Sequence, residues 1–446
     1  MQKDLTKGNI LKNMIGFSVP FLISSFLQTF YGLADLFITG QFYGADTITA
    51  VSVGSQITHM LTVIIVGLAM GTCVGVGRTV GAGEKERVAK VIGNTVTLFA
   101  VFSVVFMGVL LLCRDGIISA ISTPAEAVYE TGVYLSICFL GVPFITAYNV
   151  ISSVFRGLGD SRTPMYFVAV AGVVNVILDL LLIGPCGLGA MGAALATVIA
   201  QGFSVVLALL WIRRKKTGGI LLRKEDFRPD RALMGQMLRV GVPIAAQDGL
   251  IQVSFLVITA IANRRGVDVA AAVGIVEKII CFVFLVPSAM LSTVSAMAAQ
   301  NAGAGKHGQG RRVLYYGMGI CVVFGLAVGI ACQFLATPIL ALFAKDEPEV
   351  VRLGAQYLKS YIFDCGLAGI HFCFSGYFCA YGKSVYSFVH NIISLIAVRI
   401  PGAYFASVIF PATLYPMGWA APMGSLLSAL ICVGFFLYLR QKSTVS

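Results

Sequence analysis

The chain alternates long apolar runs with short polar breaks. From the N-terminus the runs cover roughly residues 14–38, 49–76, 91–112, 131–153, 164–184, 190–212, 236–262, 270–297, 314–342, 355–380, 385–409 and 418–439. There are twelve, most of about 20 residues or more, the length a helix needs to cross a bilayer and well beyond a barrel strand. The pattern predicts an all-α polytopic membrane protein with twelve transmembrane helices. No short apolar region with a small-residue cleavage site follows Lys3, Lys7 and Lys12, so no cleavable leader is expected.

The breaks repeat. "FSVP" at 17–20 returns as "VGVP" at 240–243, and "SVFRGLGDS" at 153–161 returns as "GYFCAYGKS" at 376–384, both at an offset of 223. "GAG" at 81–83 returns at 303–305. Matches in order at nearly one offset mark a tandem duplication with six spans per half. Six is even, so both halves enter the membrane in the same sense, as parallel repeats related by a pseudo-two-fold axis along the membrane normal. The expected organisation is an N-terminal lobe at 1–212, a cytoplasmic linker loop at 213–232 and a C-terminal lobe at 233–446. Such an arrangement suits alternating access, with one lobe rocking against the other.

Composition sharpens this. The 446 residues are 58% hydrophobic and 12% charged, where soluble domains are roughly a quarter charged. The net charge of +12 raises nucleic acid as a partner, but its distribution argues otherwise. With both termini inside, Lys3, Lys7, Lys12, Arg78, Lys85, Arg87, Lys90, Arg156, Arg162, Lys306, Arg311, Arg312, Lys383, Arg440 and Lys442 all fall in cytoplasmic segments, as do the "RRKK" run at 213–216 and Arg223, Lys224, Arg228 and Arg231. Only Arg114, Arg264, Arg265, Lys345 and Arg352 fall outside. This is the positive-inside bias of a multi-pass protein. It argues against a nucleic-acid role; the expected location is the cytoplasmic (inner) membrane of a prokaryote, with both termini cytoplasmic.

The energy source must then be sought in the spans. "GYFCAYGKS" has five residues between its first glycine and GKS where a phosphate-binding loop has four, and no strand precedes it. "GAGKHG" at 303–308 fits GxGxxG but follows a helix. Both read as helix-end turns. The eleven cysteines form no CxxC, and His59, His307, His371 and His390 do not cluster. No nucleophile–base pair is visible, so the chain is not expected to be an enzyme or to carry a cofactor; an ion gradient is the expected driver.

Two carboxylates stand out. Asp179 lies mid-span in "NVILDLLLIGPCGLGAMGAALATVIAQ", one helical turn after Asn175 and on the same face. Asp35 lies within the first span, and the sixth span supplies Thr197. A carboxylate at the bilayer centre costs at least ~2.5–3.5 kcal/mol on insertion scales. No lysine or arginine lies deep in a first-half span, so each acid must be protonated, bind a cation or face water. Such a pair is a natural proton carrier, and two carboxylates with an amide and a hydroxyl also suit a small hard cation such as Na+. The second-half counterparts are Ile258 and Gly402. That half instead carries Asp248, Glu277, Lys278, Asp364 and Arg399, mixed in sign, expected as a structural network with Arg399 near Glu277 or Asp248, with a second ion or substrate site as the rival reading. Pro20 in the first span removes one backbone hydrogen bond and offers a hinge.

"FRGLGDSRTPM" (155–165) running into the Asp179 segment, "GLADLFITGQFYG" in the first span and "AAQNAGAGKHGQGRR" after the eighth resemble the multidrug and toxic compound extrusion (MATE) family over essentially the whole chain. The resemblance implies two six-helix lobes and export of cationic or amphipathic drugs in exchange for H+ or Na+, with no other cofactor. It also implies a first-lobe cation site at Asp35, Asn175, Asp179 and Thr197, with the Ala193 carbonyl contributing, and drug-facing Gln28, Tyr31 and Asn149. Another subgroup of the family has acids in spans seven and ten, but "GLIQVSF" and "LAGIHFCF" here lack one. The alternatives are a flippase for a lipid-linked precursor, which should line its cleft with basic residues, and a membrane-embedded enzyme, for which no metal motif such as HExxH is present. The expected partners are small drugs or organic cations and membrane lipid, and a monomer is expected.

Overall fold

In the computed structural model, residues 4–121, 123–215 and 222–444 are described; Lys3 and Lys216, assigned above as topology charges, and the centre of the linker lie outside them. The described chain is helical, without a strand. The helices are α1 (Ile10–Phe42), α2 (Ala45–Gly81), α3 (Lys85–Ala120), α4 (Val128–Leu140), α5 (Val142–Gly157), α6 (Arg162–Ile183), α7 (Gly189–Lys215), α8 (Arg231–Asn263), α9 (Val267–Val283), α10 (Leu285–Gly303), α11 (His307–Ala341), α12 (Pro348–Tyr361), α13 (Asp364–Ala380), α14 (Val385–Ser394), α15 (Ile400–Ile409), the short α16 (Tyr415–Gly418) and α17 (Ala420–Thr444). Lipid cannot satisfy backbone N–H and C=O groups, so apolar runs of this length close their hydrogen bonds internally as helices. Ten segments are long and apolar enough to cross a membrane, and twelve when the bent pairs α4–α5 (48°) and α12–α13 (40°) each count as one span.

Glycine turns end the helices at the repeated motifs. Gly83 (φ +77°) and Gly305 (φ +70°) adopt the left-handed conformation that glycine enters without a Cβ penalty. After Gly83 the Glu84 N–H reaches back to the Thr79 carbonyl at 3.2 Å, and after Gly305 the Lys306 N–H reaches Asn301 at 2.8 Å. Gly159 and Gly382 do the same, with Asp160 bonding to Phe155 at 2.9 Å and Lys383 to Phe378 at 2.8 Å. All four are the six-to-one closure of a helix C-terminus. "GAGKHG" is therefore a helix end, and the repeat read from the letters is a repeat of backbone turns.

The chain divides into two compact units, one built on Val19–Gly241 and the other on Thr6–Ser18 with Val242–Ser446. In the first unit α2 packs on α3, α4 and α5, while α7 packs on α4, α5 and α6. Backbones approach closely where glycine allows: a Cβ on Gly157 would lie 2.8 Å from the Cys73 carbonyl. The linker is held on α3. The Asn94 amide donates to Asp226 O (3.2 Å) and accepts from the Asp230 N–H (2.7 Å), and Thr97 Oγ1 donates to Phe227 O (2.8 Å). Lys90 Nζ meets Asp230 at 2.9 Å and, with the Leu233 and Ala232 amides, holds that exposed carboxyl below the usual carboxylate range.

In the second unit α13 packs on α10, α11 and α17, and α12 on α9 and α11. Gly325 and Gly366 let α11 and α13 touch through backbone, a Cβ on Gly325 falling 2.4 Å from the Gly366 Cα. Lys306 Nζ bonds to Thr6 O at 3.0 Å, and buried Met14 reaches Gly317, so Thr6–Ser18 are anchored here. Between α14 and α15 the span widens into a π-helical turn at Leu395–Arg399, a feature frequent at functional or strained positions.

Candidate functional site

Within the first unit, α1, α6 and α7 bring polar side chains to one buried place. Asp35 on α1 is 3% exposed, and Asn175 and Asp179 on α6 are fully buried. Thr197 Oγ1 on α7 donates to Asp35 Oδ2 at 3.1 Å. The Asp35 carboxyl lies within interaction range of the Asp179 carboxyl and the Asn175 amide, and no lysine or arginine acts on either acid. Asp35 Oδ1, both Asp179 oxygens and both polar atoms of Asn175 are buried without a hydrogen-bond partner.

The surroundings are apolar. Ile38, Tyr134, Cys138, Ile183, Ala190, Ala193 and Ala194 form one buried cluster, onto which Leu36 and Val176, sequence neighbours of the site, also pack. In so low a dielectric, two adjacent carboxylates without a counter-ion cannot both stay charged. Oxygens so placed suit a proton or a small hard cation between them.

Tyr31 sits one turn before Asp35. Its ring packs on α6 at Gly172, where a Cβ would stand 3.2 Å away, and its hydroxyl accepts a long bond (3.4 Å) from Gln201 Nε2 on α7. The structure thus gathers Asp35, Asn175, Asp179 and Thr197, with Tyr31 beside them. Ala193 lies one turn before Thr197, fully buried in the apolar wall. Gln28 is half-buried on α1, and buried Asn149 donates to the Ile145 carbonyl of its own helix at 2.8 Å; neither joins the acidic cluster. Pro20 lies inside an α1 that stays continuous across it. Sequence reasoning missed Gln201 and Gly172, whose partners are set by how α6 and α7 face α1.

Arg156, expected in a cytoplasmic segment at the end of α5, is not a solvated charge: it is 3% exposed. Its Nη2 donates to Ser153 Oγ at 2.6 Å, and its guanidinium lies 5.0 Å from the Phe21 ring. The groups that act on it are the Cys73 thiol and the Tyr148 phenol, not an acid. The C-terminus of α5 contributes up to ~2 kcal/mol and the ring ~2 kcal/mol, against a desolvation penalty of several kcal/mol.

The second unit holds a different cluster. Arg399 Nη2 donates to the Tyr361 hydroxyl at 2.7 Å, with its guanidinium 5.3 Å from the Phe255 ring. Thr259 donates to Glu277 Oε2 at 3.2 Å. Glu277 and Asp364 lie within electrostatic reach of the guanidinium without a hydrogen bond to it, Glu277 Oε1, both Asp364 oxygens and Arg399 Nε being buried and unpartnered, and no charged group acts on Asp248. Among the described residues no three His, Cys, Asp or Glu side chains stand together as a metal site.

The MatE family model matches residues 20–181 and again residues 243–405, starting at Pro20 and Pro243. Similar proteins include the probable multidrug resistance protein YpnP of Bacillus subtilis (strain 168), 28% identical over 98% of this chain and 96% of that protein. The FAD transporter of Shewanella oneidensis is 26% identical over 98% and 94%. The solved structure described as "Outward-facing conformation of a multidrug resistance MATE family transporter of the MOP superfamily" has the same fold, with a TM-score of 0.90 at 21% identity and coverage of 99% and 97%. Matched twice over by one family model and alike in fold from end to end, the chain belongs to the MatE family of multidrug efflux transporters.

Proposed function

We propose that the protein is a secondary antiporter that exports cationic or amphipathic drugs in exchange for H+ or Na+ by alternating access. The family consists of transporters, and the protein is not an enzyme. One observation carries the coupling: a buried set of oxygens on Asp35, Asp179, Asn175 and Thr197, largely unpartnered and with no cationic side chain acting on the acids. Proton or sodium loading removes the repulsion between the acids. α1 then bends at Pro20 and displaces a drug held near Gln28, Tyr31 and Asn149. The same reading places the protein in a prokaryotic inner membrane with both termini cytoplasmic, acting as a monomer.

The test is drug uptake into liposomes under an imposed proton or sodium gradient. Uptake should follow one of the two and be lost in Asp35→Asn/Asp179→Asn. Uptake by the double variant equal to wild type would overturn the assignment.

A further inference from the structure

Arg156 lies outside the acidic cluster and takes no part in the coupling just described. It ends α5 beside the close contact of Gly157 with Cys73 on α2, and only 3% of it is exposed. Of its five N–H donors, one on Nη2 is taken by Ser153 Oγ, and the buried Nε has no partner. The acid nearest in sequence is committed elsewhere. Asp160 Oδ1 accepts from the Arg162 and Thr163 amides (3.0 and 3.1 Å) and Oδ2 from Thr163 Oγ1 (2.7 Å), which caps α6. No carboxylate acts on Arg156 among the described residues. A guanidinium presents a planar fork that matches carboxylate and phosphate oxygens, and it is retained in an apolar setting when an anion completes it. Above it lies Phe21, half-buried and one residue beyond Pro20, an apolar surface beside the charge.

We infer that Arg156, with Ser153 and Phe21, is a receptor for an oxyanion, carboxylate or phosphate, carried on an apolar body: the oxygens meet the guanidinium and Ser153, and the body packs on Phe21. Two sources share this chemistry, an amphipathic solute and the headgroup of an anionic phospholipid.

The purified full-length protein in phosphatidylcholine nanodiscs is titrated with octyl phosphate, with octylammonium as the opposite-charge control. Wild type should bind octyl phosphate saturably and more tightly than inorganic phosphate. Arg156→Gln should weaken it by about tenfold or more, and Arg156→Lys, which keeps the charge without the fork, by an intermediate factor. Octylammonium binding should not move. If Arg156→Gln does not fold, the comparison rests on Arg156→Lys and Phe21→Ala, both expected to weaken octyl phosphate alone. Octyl phosphate affinity equal to wild type in every folded variant, or an equal loss for octylammonium, overturns the receptor. Repeating the titration with phosphatidylglycerol in the disc assigns the source: competition identifies lipid, and unchanged affinity identifies a solute. None of these readouts involves export, so their failure leaves the antiport reading standing, and failure of coupled uptake leaves the receptor standing.

Discussion

Two buried charge clusters, one in each unit, solve the same electrostatic problem differently. Asp35 and Asp179 have an amide, a hydroxyl and an apolar wall, but no cation. Glu277 and Asp364 have Arg399, itself fixed by Tyr361 and Phe255. A cluster that contains its own counter-charge has its carboxylates partly compensated from within, and removing the cation leaves them uncompensated. A cluster without one must take its counter-charge from outside, which couples its state to the surroundings. Under the proposed mechanism the Asp35–Asp179 cluster exchanges its counter-charge and the Arg399 cluster keeps its own.

The most severe way to break this comparison is Asp179→Asn. It keeps the shape and removes the exchangeable charge, so coupled export should fall to background while insertion and folded yield are unchanged; Asp35→Asn should behave likewise. Wild-type efflux by either variant at normal expression would remove the acid pair from the mechanism.

In the second unit the same kind of change should damage folding instead. Arg399→Ala leaves Glu277 and Asp364 without their cation, and breaking a buried pair typically costs ~3–5 kcal/mol. Thermal unfolding of the purified variant should show the loss with cation preference intact. A well-folded Arg399→Ala with altered H+ or Na+ preference would make the second cluster an exchanging site too.

A pH titration sharpens the contrast. If protons on the acid pair displace drug, drug must equally weaken proton binding. Affinity for a permanently charged drug should then fall as pH falls, by up to about tenfold per pH unit for one coupled proton. The dependence should vanish in Asp35→Asn/Asp179→Asn and persist in Arg399→Lys. A flat wild-type profile that acquires a dependence on sodium would identify sodium as the coupling ion. The smallest effect belongs to Thr197→Ala, which removes one hydrogen bond to Asp35, worth about 1 kcal/mol. A few-fold shift in the apparent cation affinity is expected, and Thr197→Ser should restore it.

Much of this was legible in the letters because the physics is one-dimensional. Apolar length gives the spans, and a carboxylate inside such a run is conspicuous through its cost. The four-residue spacing puts Asn175 and Asp179 on one face without reference to anything else. What stayed hidden depends on how one helix is turned toward another. Gln201 reaches Tyr31, and Arg399 acts on Asp364 as well as Glu277, because of helix rotations that no single run encodes. The burial of Arg156 was hidden for a related reason: a basic residue at a helix end is usually solvated, and only the approach of Phe21 on α1 and Cys73 on α2 shows that this one is not.

The anchoring of Thr6–Ser18 in the second unit bears on the order in which the protein is made. Lys306 and its partner Thr6 are 300 residues apart, so the segment leading into α1 waits for this contact until more than two-thirds of the chain has been synthesised. α8 is in the opposite position. Its opening turns settle on α2, made long before, with the Met237 carbonyl seated against Gly71 and Gly241 against the Leu68 carbonyl. Contacts of such different sequence separation close at different times. The first unit can consolidate on the ribosome before the Lys306–Thr6 contact of the second is able to close.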